Sequence, residues 1–297
     1  AKDARNSDRV VECMLGKIEH AEDDNHRAAL LRQLAEQYET NAGDLRRAFE
    51  AVTTACRMNP AENEYAQAAE RLAAATGNWS ELVSEASEIA NEVQEKDRSV
   101  AANWWARLGR WYGEKLDRAD YAMPSLRRAL ELDPVNREAL TAQAEILRKG
   151  QKWSELADTL KAHAEVEADS DKKVELLLGL GDLQETQLAS TAKAIEAYQA
   201  AADLDPNCDD ALAALERLYR RDERWANLAK VLDRRAEVIE AAGEAGRAAA
   251  IRRELATLRA EKLGDLEGAI ARYEATVAQN GADQTALKAL VELYDKT

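Results

Sequence analysis

Apolar residues along this chain recur at intervals of three and four, in stretches of about 14–17 residues, the spacing that gathers side chains on one face of an α-helix. Short polar breaks separate the stretches, at 41–44, 58–60, 77–78 and 97–99 and at the equivalents further on, where Asn, Asp, Gly, Pro and Ser cluster. Those are the residues that stop and start helices. Helices of this length with connections this short must run back on one another as antiparallel hairpins. The pattern predicts roughly 16 helices and no strands, because period-two runs of Val, Ile, Thr and aromatics are almost absent.

The pattern also repeats. TGNWSELV, GQKWSELA and DERWANLA place Trp79, Trp153 and Trp225 at separations of 74 and 72 residues. Pro60, Pro134 and Pro206 each precede a tryptophan by 19 residues, and Ala68, Ala142, Ala214 and Ala289 mark a shared position between them. The unit is therefore about 74 residues, two hairpins of about 35 and 39. A single array over 1–297 follows, with units at 1–60 (partial, with the first hairpin), 61–134, 135–206, 207–281 and a partial 282–297. No linker or composition shift marks a domain end. Residues 8–23 read as the second helix of a hairpin and 283–295 as a first helix without its partner. Neither has the polar outer face of a capping helix, so the chain reads as a segment of a longer solenoid.

Each repeated tryptophan falls at the first turn of a hairpin's second helix, where a large ring fills the wedge between diverging helices. Leu82, Leu156 and Leu228 follow three residues later, and Ala90, Ala164 and Ala236 eleven residues later, on one face. Trp79, Trp153 and Trp225 are expected to be packing residues. The segment NWWARLGRWYG adds Trp104, Trp105, Trp111 and Tyr112. Trp104 and Trp111, seven apart with Leu108 between, share a stripe that suits either the core or an exposed aromatic anchor for a partner.

This segment carries a family resemblance. Trp105, Leu108, Gly109, Tyr112, Ala122, Leu126, Ala129 and Pro134 match the W-x2-L-G-x2-Y…A…P pattern of the tetratricopeptide repeat, with one extra residue in the turn. The first hairpins of the other units resemble it as well. They read Leu31, Leu34, Ala35, Tyr38, Ala48, Ala55, Pro60; then Leu177, Leu180, Gly181, Ala194, Tyr198, Ala201, Pro206; then Leu255, Ala256, Ala269, Tyr273, with Gly281 at the proline position. The second hairpins depart from it, carrying W-x2-L where the family has an aromatic followed by alanine. The resemblance assigns Trp105 and Tyr112 to packing positions and implies an all-α solenoid, a right-handed superhelix of stacked hairpins. It also implies a scaffold that binds protein or peptide on the concave face built from each hairpin's first helix. The inward positions are Arg32, Glu36, Gln67, Arg71, Arg110, Thr141, Glu145, Arg148, Asp182, Glu185, Arg217 and Arg220. Arg110, Arg148, Arg217 and Arg220 are the candidates for bidentate contacts with a partner's carboxylates, with Trp104 and Trp111 nearby. An Ala/Arg/Glu-rich array of this kind looks bacterial. Similar arrays occur in envelope, secretion and motility assemblies, so the alternative is a spacer or end-to-end stacking subunit of a larger complex.

Charge narrows the partners. The net charge of −15 repels phosphate backbones and anionic headgroups, which argues against nucleic acid. No 18-residue apolar run predicts membrane insertion. Cys13, Cys56 and Cys208 are odd in number and scattered, small hydrophobes more than a disulfide framework. They favour a cytoplasmic placement, with the periplasm as alternative, and the start AKDARNSDRV has no signal-peptide pattern. The three histidines, His20, His26 and His163, have no second ligand at helical spacing, and EHAEDD lacks the spacing of a calcium loop. There is no phosphate loop and no nucleophile elbow. The expectation is a non-enzyme without metal or cofactor.

Overall fold

The computed structural model describes residues 2–279 and 284–295, and among them contains sixteen α-helices and no strand. The chain divides into two compact units, 1–152 and 153–297. The first holds α1 (Lys2–Glu19), α2 (Asp24–Gln37), α3 (Leu45–Met58), α4 (Asn63–Thr76), α5 (Trp79–Val93), α6 (Arg98–Glu114), α7 (Ala119–Leu132) and α8 (Arg137–Lys149). The second holds α9 (Trp153–Val166), α10 (Ser170–Thr186), α11 (Thr191–Leu204), α12 (Asp209–Arg221), α13 (Trp225–Ala241), α14 (Ala245–Leu258), α15 (Leu266–Gln279) and α16 (Gln284–Tyr294). Within each unit successive helices pack on one another, as the stacked hairpins of an α-solenoid do.

The helices begin where side chains satisfy their first N–H groups. Asp97 accepts from the N–H groups of Ser99 and Val100, Asp169 from those of Asp171 and Lys172, and Asn136 from that of Ala139. The expected break at 41–44 narrows to Gly43 and Asp44. Tyr38–Ala42 carries the helix on as a π-helical turn that ends at Gly43, and Arg259–Leu263 does the same before Gly264. Gly281 and the expected boundary at 281/282 lie outside the described residues.

Alanines with no exposed surface, among them Ala48, Ala69, Ala86, Ala90 and Ala101, let the helix axes approach. Where even alanine is too large the chain has glycine. A Cβ on Gly109 would lie 2.5 Å from Leu126 Cγ, and one on Gly181 would lie 2.6 Å from Tyr198 Cε1. The tetratricopeptide-like glycine is therefore a contact requirement between α6 and α7, and again between α10 and α11.

The aromatic segment of α6 is arranged otherwise than an anchor requires. Trp104 is 1% exposed and Trp111 0%, so neither can offer a ring to a partner. Trp104 Nε1 donates to the Pro60 carbonyl at 2.8 Å, and the two rings meet edge to face at 6.5 Å, with Trp79 a further 6.5 Å from Trp111. The physical reason is that α6 packs on both sides. The 104/108/111 stripe enters the core with Leu72, Leu82 and Phe49. Trp105 and Tyr112 turn about a quarter-circle away towards α7, where both are half-buried and Tyr112 stacks on Tyr121 at 5.3 Å. Trp79, Trp153 and Trp225 are the first residues of α5, α9 and α13, each half-buried.

In the second unit the core runs through Leu212, Leu218, Tyr219, Leu228, Leu232 and Leu255, with a smaller cluster around Tyr273 and Leu290. Leu287, Val291 and Tyr294 form an exposed apolar stripe on α16. Leu212 and Tyr219, which stand 75 residues before Leu287 and Tyr294, are buried.

Candidate functional site

The first helices of consecutive hairpins carry their polar side chains along one stripe each, and the structure shows what those side chains do. In the first unit Arg71 of α4 holds Glu39 through two hydrogen bonds of 2.6 and 2.8 Å. One hairpin on, Arg110 of α6 takes both oxygens of Glu70 on α4 at 2.8 Å and reaches Glu138 on α8 at 3.0 Å. In the second unit Arg217 of α12 grips Glu185 of α10 through both its terminal nitrogens, and Arg220 pairs with Glu216 and with Glu254 of α14. Each inter-helix bridge joins one first helix to the next. Together they form a ladder of charge-assisted contacts that holds the register of neighbouring hairpins.

This revises the role expected for the arginines. Arg110 is largely covered, with 23% of its side chain exposed, and its guanidinium lies 6.0 Å from the Trp111 ring centroid. The carboxylates that Arg110, Arg217 and Arg220 were expected to find on a partner are supplied by the chain itself. Glu70 is pushed up by burial, yet hydrogen bonds and charge from Arg110 hold it below the ordinary carboxylate value. The Arg71 hydrogen bond likewise lowers Glu39, and Glu185 has the same influence on Arg217, raising it. Arg148, in the last turn of α8, is exposed and without an ion pair among the described residues.

Arg107 is a second cation that the ladder leaves over. It lies one turn before Arg110 on the same stripe, its guanidinium carbon 5.3 Å from the Trp104 ring centroid. It donates to Asn63 Oδ1 and has no carboxylate partner among the described residues. Burial pushes it below the usual arginine value, and the Glu138 charge opposes that. Arg107 lines a cavity of about 250 Å³ at the start of α4, α6 and α8, together with Pro60, Asn63, Val100, Asn103 and Glu138. Asn103 is oriented by its neighbour: Asn136, which caps α8, donates to Asn103 Oδ1 at 2.8 Å. The Asn103 amide nitrogen is left to donate elsewhere. Two amides and a guanidinium around a small cavity provide donors for a carboxylate or a peptide carbonyl. Asn63, Asn103 and Arg107 were not singled out from the sequence. The available signal was the i, i+4, i+7 spacing that puts Asn103 and Arg107 on the stripe of Arg110.

Among the described residues no group of three or more His, Cys, Asp or Glu side chains is placed to hold a metal ion. No helix is long and apolar enough to cross a membrane. His163 of α9 is buried beside Glu167, just past the end of that helix.

Residues 174–208, which span most of α10 and all of α11, match the family model of the tetratricopeptide repeat. No curated protein matches the sequence. Among solved structures, YrrB, described as a tetratricopeptide-repeat protein with an unusual peptide-binding site, is similar at 19% identity and a TM-score of 0.41. That match covers 69% of this chain and 98% of YrrB. The C-terminal part of a repeat-containing protein from Cytophaga hutchinsonii gives 12% identity and 0.46, over 87% of this chain and 98% of the other. A chain of the Naa15/Naa10 structure, bound to HypK-THB, gives 15% and 0.47, over 91% of this chain and 39% of its own length. At such identities and scores, the repeat class rests on the family match and on the helix hairpins themselves.

Proposed function

We propose that this chain, which carries a tetratricopeptide repeat at residues 174–208, is a non-catalytic scaffold that binds a protein or peptide on the face built from its hairpins' first helices. The observation that carries this reading is the Asn63–Asn103–Arg107 cavity. The ladder arginines are engaged within the chain and serve its rigidity. Arg107 keeps its charge under partial burial with Glu138 across the cavity but no carboxylate in direct contact among the described residues, and a partner's carboxylate or main-chain carbonyl can make that contact. An extended acidic segment lying across α4, α6 and α8 would meet Arg107 first, with Arg148 further along α8. The proposed contact lies in the first unit, one turn from Arg110 on α6.

The test is a selection of random peptides on the purified chain, followed by titration of the enriched peptides against variants. Asn103→Trp fills the cavity and Arg107→Gln removes the cation; each should weaken the peptides about tenfold, as loss of a charge-assisted contact does. Peptides that bind both variants with parental affinity would refute the assignment.

One observation favours a second reading, in which the array is a spacer or stacking element of a larger assembly. The Leu287, Val291 and Tyr294 stripe of α16 is exposed, although Leu212 and Tyr219 in α12 are buried. Concentration-dependent sedimentation that is abolished by Leu287→Lys with Val291→Lys would support that reading. A monomer at all concentrations would remove it for contacts between copies.

A further inference from the structure

The repeat lets each hairpin be compared with its own counterparts. One position holds Tyr38, Tyr112, Gln184 and Arg259 in the four copies, a second Leu31, Trp105, Leu177 and Arg252, and a third Arg47, Tyr121, Lys193 and Gly268. In the second copy this space is full of rings, since Tyr112 stacks on Tyr121 and Trp105 packs beside Ala106 and Leu126. In the first copy Arg47 lies 5.9 Å from the Tyr38 ring centroid, and in the fourth Arg252 and Arg259 reach Glu240 and Asp265. The third copy has neither a ring nor a guanidinium at any of the three positions. There a cavity of about 270 Å³ opens between α9, α10 and α11.

Its walls are those of an aromatic site with the aromatic taken out. Leu177, Leu180 and Ala197 line it, and Ala157 and Ala200 stand where the second copy has Val83 and Arg128. Gln184 also lines it, is itself buried, and its Oε1 has no hydrogen-bond partner. A buried acceptor without a donor is costly, and a phenol O–H or an indole N–H is the donor that an aromatic ring brings with it. We infer that this cavity receives a tyrosine or tryptophan side chain from a partner polypeptide, the ring replacing Tyr112 and Trp105 of the second copy and its polar hydrogen donated to Gln184 Oε1. The rim carries two exposed lysines and two acids, so the ring and not charge selects the partner. This site lies in the second unit, apart from the Arg107 cavity, and does not rest on that assignment.

The test is an NMR titration of methyl-labelled protein with N-acetyltryptophanamide, with the phenylalanine and leucine amides as controls. Saturable shifts are expected at Leu177, Leu180 and Ala197, several-fold weaker for the phenylalanine amide and absent for the leucine amide. Gln184→Tyr should lower the tryptophan affinity at least tenfold and raise the melting temperature, because the chain then fills its own slot. If that variant does not fold, Gln184→Leu serves instead; it should abolish the preference for tryptophan over phenylalanine. A pentapeptide with a central tryptophan flanked by Gly and Ser should bind at least as tightly as the amide. Shifts that are absent at millimolar amide, equal for leucine, or indifferent to either variant would overturn the site. Binding of the amide without the pentapeptide would overturn the polypeptide partner.

Discussion

Arg110 is the residue whose replacement most directly tests whether the polar stripe serves the fold or a partner. Arg110→Ala removes two hydrogen bonds of 2.8 Å to Glu70 and one of 3.0 Å to Glu138. It leaves Glu70, with 26% of its side chain exposed, charged and without its partner. An exposed ion pair contributes about 0–1 kcal/mol, and breaking a fully buried one costs about 3–5. A pair about three-quarters removed from water, with a third contact to a neighbouring helix, falls between these limits, so the loss should be about 2 kcal/mol. Arg110→Lys keeps the charge but cannot span both carboxylates, and should recover roughly half of it. Arg110→Glu, which a surface-contact role would tolerate, should be worse than alanine because it adds a fourth carboxylate beside Glu70, Glu114 and Glu138.

The sign of the pH dependence separates this from a packing defect. In the parent, Arg110 holds Glu70 below its ordinary value of 4.5 against the upward push of burial. That stability is present above the unfolded carboxylate value and is lost as pH falls through the folded one. In Arg110→Ala burial, already the largest influence on Glu70, outweighs the weaker ones left from Trp111 and Lys115, so Glu70 rises and the variant carries a half-buried charge at neutral pH that protonation relieves. The gap between the two proteins should be widest at neutral pH and narrow below about pH 4.5. Urea titrations followed by far-ultraviolet circular dichroism at neutral pH and near pH 4 measure it. An unchanged midpoint at neutral pH, or a deficit that does not narrow in acid, would refute the ladder as a structural device.

Three further outcomes follow from the packing. Gly179 and Gly181 sit two residues apart on α10, one facing open space and one facing the Tyr198 ring. Gly179→Ala should stabilise by about 0.5–1 kcal/mol, and Gly181→Ala should destabilise by about 1–3 in the same denaturation assay. Ala189 holds φ at 49° at the turn position where Gly43 and Gly264 stand in other copies, so Ala189→Gly should raise stability by about 0.5–1 kcal/mol, the left-handed strain offset by glycine's looser unfolded chain. Trp104→Ala should cost about 3–5 kcal/mol, and Trp153→Ala, which is only half-buried, distinctly less. Equal losses at the two positions would contradict the burial difference.

The helix hairpins were legible because burial imposes its period on the sequence, and the glycine, proline and aspartate breaks terminate that period for local reasons. The α6 tryptophans show where such legibility stops. Adjacent residues on a helix point about 100° apart, and α6 is apolar over more than one stripe because it meets a neighbour on each side. The family pattern names Trp105 and Tyr112, which serve the contact with α7. It says nothing of Trp104 and Trp111, which serve the contact with the preceding hairpin and are the deeper pair. The arginines fail for the opposite reason. Their place on the first helices was readable, but a charge on a stripe looks the same whether its counter-charge lies on a partner or on the next helix. The separations held the answer: Arg71 and Glu39 are 32 residues apart, Arg110 and Glu70 are 40, Arg217 and Glu185 are 32, and Arg220 and Glu254 are 34. Each is about one hairpin, the interval at which stacking brings first helices side by side. In a repeat protein, a charge with an opposite charge one hairpin away is spoken for by its neighbour. The informative residue is the one whose nearest carboxylate is already taken, and on this stripe that residue is Arg107, since Glu138 of the same cavity bonds Arg110 instead.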